Sequence, residues 1–139
     1  MKILDFAKAH GAELLPPVSE EHICMFEANL NLRMPPGLRA FYLEAGGTNE
    51  FTRWGWRIWP FDELAILESG AGKTPDIECL DGYESGPPLS DYLAFIDVMI
   101  AAPLYAVCAN PVNPRFGEEF YSSESASHVF IYHVSAFVL

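Results

Sequence analysis

Apolar residues recur at helical spacing twice in the first third of the chain. Ile23, Phe26 and Leu30 stand at i, i+3 and i+7, which predicts an amphipathic helix running to about Leu32. Ser19 is its natural N-cap, and Glu20 and Glu21 suit the positive end of its dipole. Pro35-Pro36 separates it from a second helix, in which Leu38, Phe41, Tyr42 and Ala45 share one face and Gly46-Gly47 marks the stop. Residues before Pro16-Pro17 read as a short lead-in. Trp54–Trp59 alternates and is aromatic-rich, so it predicts a strand with Trp54, Trp56 and Ile58 on one face and Gly55, Arg57 and Trp59 on the other. Pro60 closes that strand, and a short helix is expected over Phe61–Leu67.

Residues 68–90 are rich in glycine, proline and acid, and read as a long loop, of a length that is usually functional or disordered. Four strands follow, over Tyr92–Val98, Leu104–Ala109, Phe116–Ser122 and Val129–Val134, divided by turn-forming segments. Helices first and consecutive strands afterwards predict an α+β fold. Its sheet is mixed and largely antiparallel, with the N-terminal helices packed on it. A length of 139 residues fits one domain, 1–139.

Charge changes the picture more than length does. There are 19 acids against 8 bases, and beyond Thr74 the only base is Arg115. A surface with net charge −11 repels phosphate backbones and anionic lipid, so nucleic acid and membrane are poor partners. Two readings remain: the charge keeps the protein soluble, or it attracts a basic protein. Three widely spaced cysteines, Cys24, Cys79 and Cys108, make no disulfide framework and fit a reducing, cytoplasmic setting. The N-terminal segment is interrupted by Asp5, Lys8, His10 and Glu13, unlike a signal peptide. The longest apolar run, broken by Pro103, is too short to span a bilayer.

Motifs for chemistry are incomplete. Gly70-Ala-Gly72-Lys73-Thr74 resembles the end of a phosphate-binding loop, but the required earlier glycine is Leu67 and Pro75 follows directly. His128 and His133 are five apart on a predicted strand and project to opposite faces, while His10 and His22 sit in separate segments, so no metal set forms. Cys24, placed on the apolar side of its helix, and Cys108, in an apolar strand, read as inert core residues. Cys79 lies between Glu78 and Asp81, which disfavour its thiolate. The acid pairs Asp62-Glu63 and Glu118-Glu119 are neighbours in sequence only. No catalytic residue, metal or cofactor is assigned.

The aromatic cluster is the richest feature. Trp54, Trp56, Trp59 and Phe61 stand beside Arg53 and Arg57. Core packing accounts for part of it; Trp and Arg are also the residues most enriched at binding hot spots, so one side is a candidate partner surface.

Read together, the pieces resemble a family. The helix ending in Leu30-x-Leu32, then Met34-Pro35-Pro36-x-Leu38-Arg39-x-Phe41-Tyr42-Leu43 and Gly46-Gly47, is similar to the opening of the SUKH superfamily of Smi/Knr-type cell-wall-assembly regulators and bacterial toxin-immunity proteins. Trp56–Leu64, Tyr92–Asp97, Tyr105–Val107 and the final Val129–Tyr132 with Ser135-Ala136-Phe137 match its later pieces in order. Similar proteins continue into a C-terminal helix, whereas this sequence stops at Leu139, which would leave an apolar patch near Phe137–Leu139.

The resemblance implies a non-enzymatic domain without cofactor, most often an immunity protein that neutralises a toxin, commonly a nuclease with a basic groove. The expected partner is therefore a basic toxin domain, met by Asp76, Glu78, Asp81 and Glu84 with Trp54, Trp56 and Trp59 as anchors. The alternatives are a regulatory domain of the same fold with a cellular protein partner and, more remotely, a small hydrolase using Cys79 or a carboxylate pair.

Overall fold

A computed structural model describes residues 1–66, 76–79, 89–98, 104–124, 128–134 and 137–139. Among these residues three α-helices precede the sheet: α1 (Ile3–Ala9), α2 (Glu20–Leu30) and α3 (Pro36–Glu44). The two predicted helices are present. The Ser19 hydroxyl accepts from the His22 N–H at 3.2 Å to start α2, and Asn31, in the left-handed region at φ 52°, ends it. Leu38, Phe41 and Tyr42 are the buried face of α3, as their spacing requires. That helix stops at Glu44, and a single extended residue, Ala45, separates it from the glycine pair. Gly46 and Gly47 act by close approach: a Cβ at Gly46 would lie 2.4 Å from the Pro16 carbonyl, and one at Gly47 2.6 Å from that of Trp59. The lead-in contains α1, which the pattern did not reveal. Its Ile3 and Ala7 are buried, and it starts without a side-chain cap.

Among the described residues seven strands follow: β1 (Trp56–Ile58), β2 (Ala65–Ile66), β3 (Asp76–Cys79), β4 (Tyr92–Val98), β5 (Leu104–Cys108), β6 (Glu119–Glu124) and β7 (His128–Val134). They form one mixed sheet in the order β1-β4-β5-β6-β7-β3, with β2 also on β4. All pairs are antiparallel except β3 with β7. The sheet class is as the sequence predicts; several boundaries differ. The first strand begins at Trp56, because Gly55 (φ 81°) closes a turn before it with its N–H on the Thr52 carbonyl at 2.9 Å. Phe61–Glu63 is a single 3-10 turn that gives way to β2, since β4 offers its edge to Ala65 and Ile66. Part of the expected long loop is strand β3, recruited by β7. The predicted strand from Phe116 starts at Glu119 instead: Asp91 holds the amides of Asn110 and Asn113, each at 2.9 Å, and so fixes the preceding residues as turns. Gly70–Thr74 lies outside the described residues.

The helices share a core with one face of the sheet, where Leu38, Phe41 and Tyr42 join Ile58, Leu93, Phe95 and Val107. Tyr92 pairs with Cys108 and Ala94 with Ala106 on the opposite face, and all four are buried too. The centre of the sheet is thus covered on both sides. At the C-terminus the expected apolar patch is partly consumed: Phe137 packs edge-on against Phe6, Phe95 and Tyr105. Its N–H donates to the buried Glu119 carboxylate at 2.8 Å.

Candidate functional site

The strand order separates the two sets of candidate residues. Trp54, Trp56 and Trp59 belong to the β1 end of the sheet, while Asp76 and Glu78 lie on β3 at the other end, with four strands between. At about 4.8 Å per strand that is on the order of 24 Å. Aromatic anchors therefore do not sit at the centre of the acidic stretch. Asp81 and Glu84 lie outside the described residues.

The three tryptophans differ in environment. Trp56 is 8% exposed, its ring 4.6 Å from Phe6 and 5.7 Å from His10. Trp59 is half-buried; its backbone N–H donates to the Phe95 carbonyl at 2.8 Å, and its own carbonyl accepts the Tyr42 hydroxyl at 2.7 Å. Trp54 is 62% exposed on the turn before β1, not on the strand face. The Arg53 guanidinium lies 5.0 Å over its ring, and Arg57 lies 5.3 Å over the ring of Phe51. Such stacking orients both rings without burying them. This turn and the end of α1 wall an open groove of about 850 Å³, along which stand Lys8, His10, Glu13 and Glu50.

Most of the arginines are neutralised internally. Arg39 binds Glu20 at 3.1 Å and Glu27 at 3.8 Å. Arg57 binds Glu63 at 3.1 Å and Asp97 at 3.2 Å, and Arg115 binds Glu118 at 3.1 Å. Glu13, Glu21, Glu44, Glu50 and Asp62 remain exposed.

The two thiols whose side chains are described, Cys24 and Cys108, differ in environment. Cys24 is exposed rather than core, because α2 turns that position toward Arg39, whose Nη2 lies 3.5 Å from its Sγ. Cys108 is buried, and burial pushes its thiol up from the ordinary range, with the charges of Asp91 and Glu118 adding to the effect. Among the described residues no group of three or more His, Cys, Asp and Glu side chains is placed to hold a metal. Among the same residues no helix is long and apolar enough to cross a membrane.

Helices packed on one face of a mixed, largely antiparallel sheet define an α+β class. The chain belongs to the SMI1 / KNR4 family (SUKH-1), which it matches over residues 17–133. Membership supports an immunity or regulatory role exercised through protein binding. No curated protein sequence matches the chain. Helix α1 and the tail 137–139 fall outside the matched span and meet each other through Phe6 and Phe137, while just ahead of the helix the Met1 carbonyl accepts from the Val138 N–H at 2.9 Å.

Proposed function

We propose that this chain is an immunity-type protein of a bacterial cytoplasm, a non-catalytic binder that neutralises a cognate toxin presenting a basic surface, such as the substrate groove of a nuclease. One observation carries this reading: the arginines Arg39, Arg57 and Arg115 are held by the protein's own carboxylates, so the excess of 19 acids over 8 bases is left for a partner. Carboxylates opposed to a groove built for phosphate speed encounter and block substrate. Asp76, Glu78, Asp81 and Glu84 supply the steering charge, and Trp54 anchors the complex by its exposed ring. Trp56 and Trp59, the other two candidate anchors, are more buried than Trp54 and act in this reading by holding the β1 end of the sheet.

The test is genetic and physical. The gene adjacent to this one is expressed alone and together with it. Growth arrest by the neighbour alone, relieved on co-expression with a co-eluting complex, is the expected result. A neighbour without toxicity, or arrest that persists on co-expression, overturns the proposal.

A further inference from the structure

Asp62, which sequence alone left as one of a neighbouring acid pair, stands between two grooves. The first, about 480 Å³, runs from Leu15–Val18 to Pro60 and Phe61; the second, about 200 Å³, lies beside Met25, Phe26 and Asn29. Both are walled by His22, Phe61 and Asp62, so they form one furrow crossed by these three residues. The His22 ring packs edge-on to Phe61 at 4.9 Å, Phe26 lies 5.0 Å from the same ring, and His22 Nε2 is 3.6 Å from Asp62 Oδ1. Ring contacts make a rigid apolar floor. On it Met25 is 58% exposed, and thioether side chains adapt readily to varied apolar surfaces.

The charge around this floor is predominantly negative. Among the described residues neither groove is lined by Lys or Arg. The Asp62 side chain is 85% exposed, and Glu20, Glu21 and Glu63 are exposed on the same elements. The cations paired with these elements, Arg39 and Arg57, are each engaged by two carboxylates. An apolar channel whose rim carries more carboxylates than cations is complementary to an extended segment with apolar and cationic side chains.

We infer that the furrow between the Leu15–Val18 segment, α2 and the Phe61–Glu63 turn is a docking site for an extended basic segment of a protein partner. An apolar side chain seats against Phe61 and Met25, and flanking Lys or Arg side chains meet Asp62. This rests on the proposed binding of a basic protein and adds where one of its segments lies. A second copy of this chain is a poor occupant, because net charge −11 would face the same acidic rim.

The probe is a synthetic nine-residue peptide with a central Phe flanked by alternating Lys, titrated into the ¹⁵N-labelled full chain. Chemical-shift changes are expected to cluster at His22, Met25, Phe26, Asn29, Phe61 and Asp62. D62K is expected to weaken binding about tenfold, and D5K, the same charge reversal on exposed α1, less than about twofold. The analogue with Glu in place of Lys is expected not to bind. Equal weakening by D62K and D5K, shifts scattered over the surface or centred on Trp54, or self-association by sedimentation that involves these residues would each overturn the site. Growth rescue is read separately: rescue without furrow shifts refutes the site alone, and furrow shifts without rescue refute the toxin reading alone.

Discussion

Arg57 donates its Nε–H to the Asp97 carboxylate at 3.2 Å across directly opposed positions of β1 and β4, and one extra residue in β4 makes the meeting possible. Leu93 and Phe95 face the helical core, so strict alternation would send Asp97 there too. The register of β4 on β5 shifts between Ala94 and Ile96, leaving Phe95 as a bulge. Ile96 and Val98 then take the core side, and Asp97 turns outward to Arg57. Asp97→Ala should cost about 1–2 kcal/mol, a modest figure because both side chains are about a quarter exposed. A double-mutant cycle with Arg57→Ala should return a coupling near 1 kcal/mol; additive losses would show that the pair contributes nothing.

Buried and exposed aromatics should separate cleanly. Phe41→Ala and Trp56→Ala should each destabilise by about 3–5 kcal/mol, as truncations in packed cores do. Trp54→Ala should stay within about 0.5 kcal/mol of wild type yet weaken partner binding. Urea denaturation measures the first set and calorimetry with the partner the second. A large stability loss from Trp54→Ala would mean that its ring is packed.

Alkaline pH should destabilise the fold. Burial raises the Cys108 thiol and, more strongly, the Tyr42 phenol, so the folded state holds both neutral where the unfolded chain ionises them. Their contribution is complete below the unfolded values, about 8.5 for a thiol and about 10 for a phenol, and is lost as pH rises through and beyond them. The denaturation midpoint should fall between about pH 8 and 11. Cys108→Ala should flatten the early part of that fall, and Tyr42→Phe the later part. Unchanged curves in both variants would remove these groups as the cause.

Association should depend on salt through the acidic stretch. Replacing Asp76, Glu78, Asp81 and Glu84 together by Asn or Gln should slow association with the basic partner and reduce its salt slope, since charges beyond about 10 Å are screened at 0.1 M. Stopped-flow kinetics over a salt series gives the comparison. Identical rates and slopes would leave these four residues a solubility feature and move attention to the Asp62 furrow and Trp54.

Helices α2 and α3 were legible because their causes are local. A 3.6-residue apolar period, the Ser19 cap and the Pro35-Pro36 break act within one or two turns of chain. Strands β4 and β5 were legible from runs of apolar and β-branched residues, and the family from the order of short motifs. What the sequence could not show depends on partners distant along the chain. Helix α1 has only seven residues and no side-chain cap, too short to be stable alone, and holds its shape by packing Phe6 on Trp56 and Phe137. Strand β3 exists because β7, some fifty residues later, lies parallel to it. The bulge at Phe95 appears only when β4 is laid against β5, and it decides which way Asp97 faces. The furrow arises where residues 15–29 converge on 60–62. Local sequence therefore determined the elements and the sign of the surface charge. Tertiary pairing decided which aromatics are buried, where the acids stand, and that Trp54 and Asp76 lie at opposite ends of one sheet, because no single window of sequence contains both members of a long-range contact.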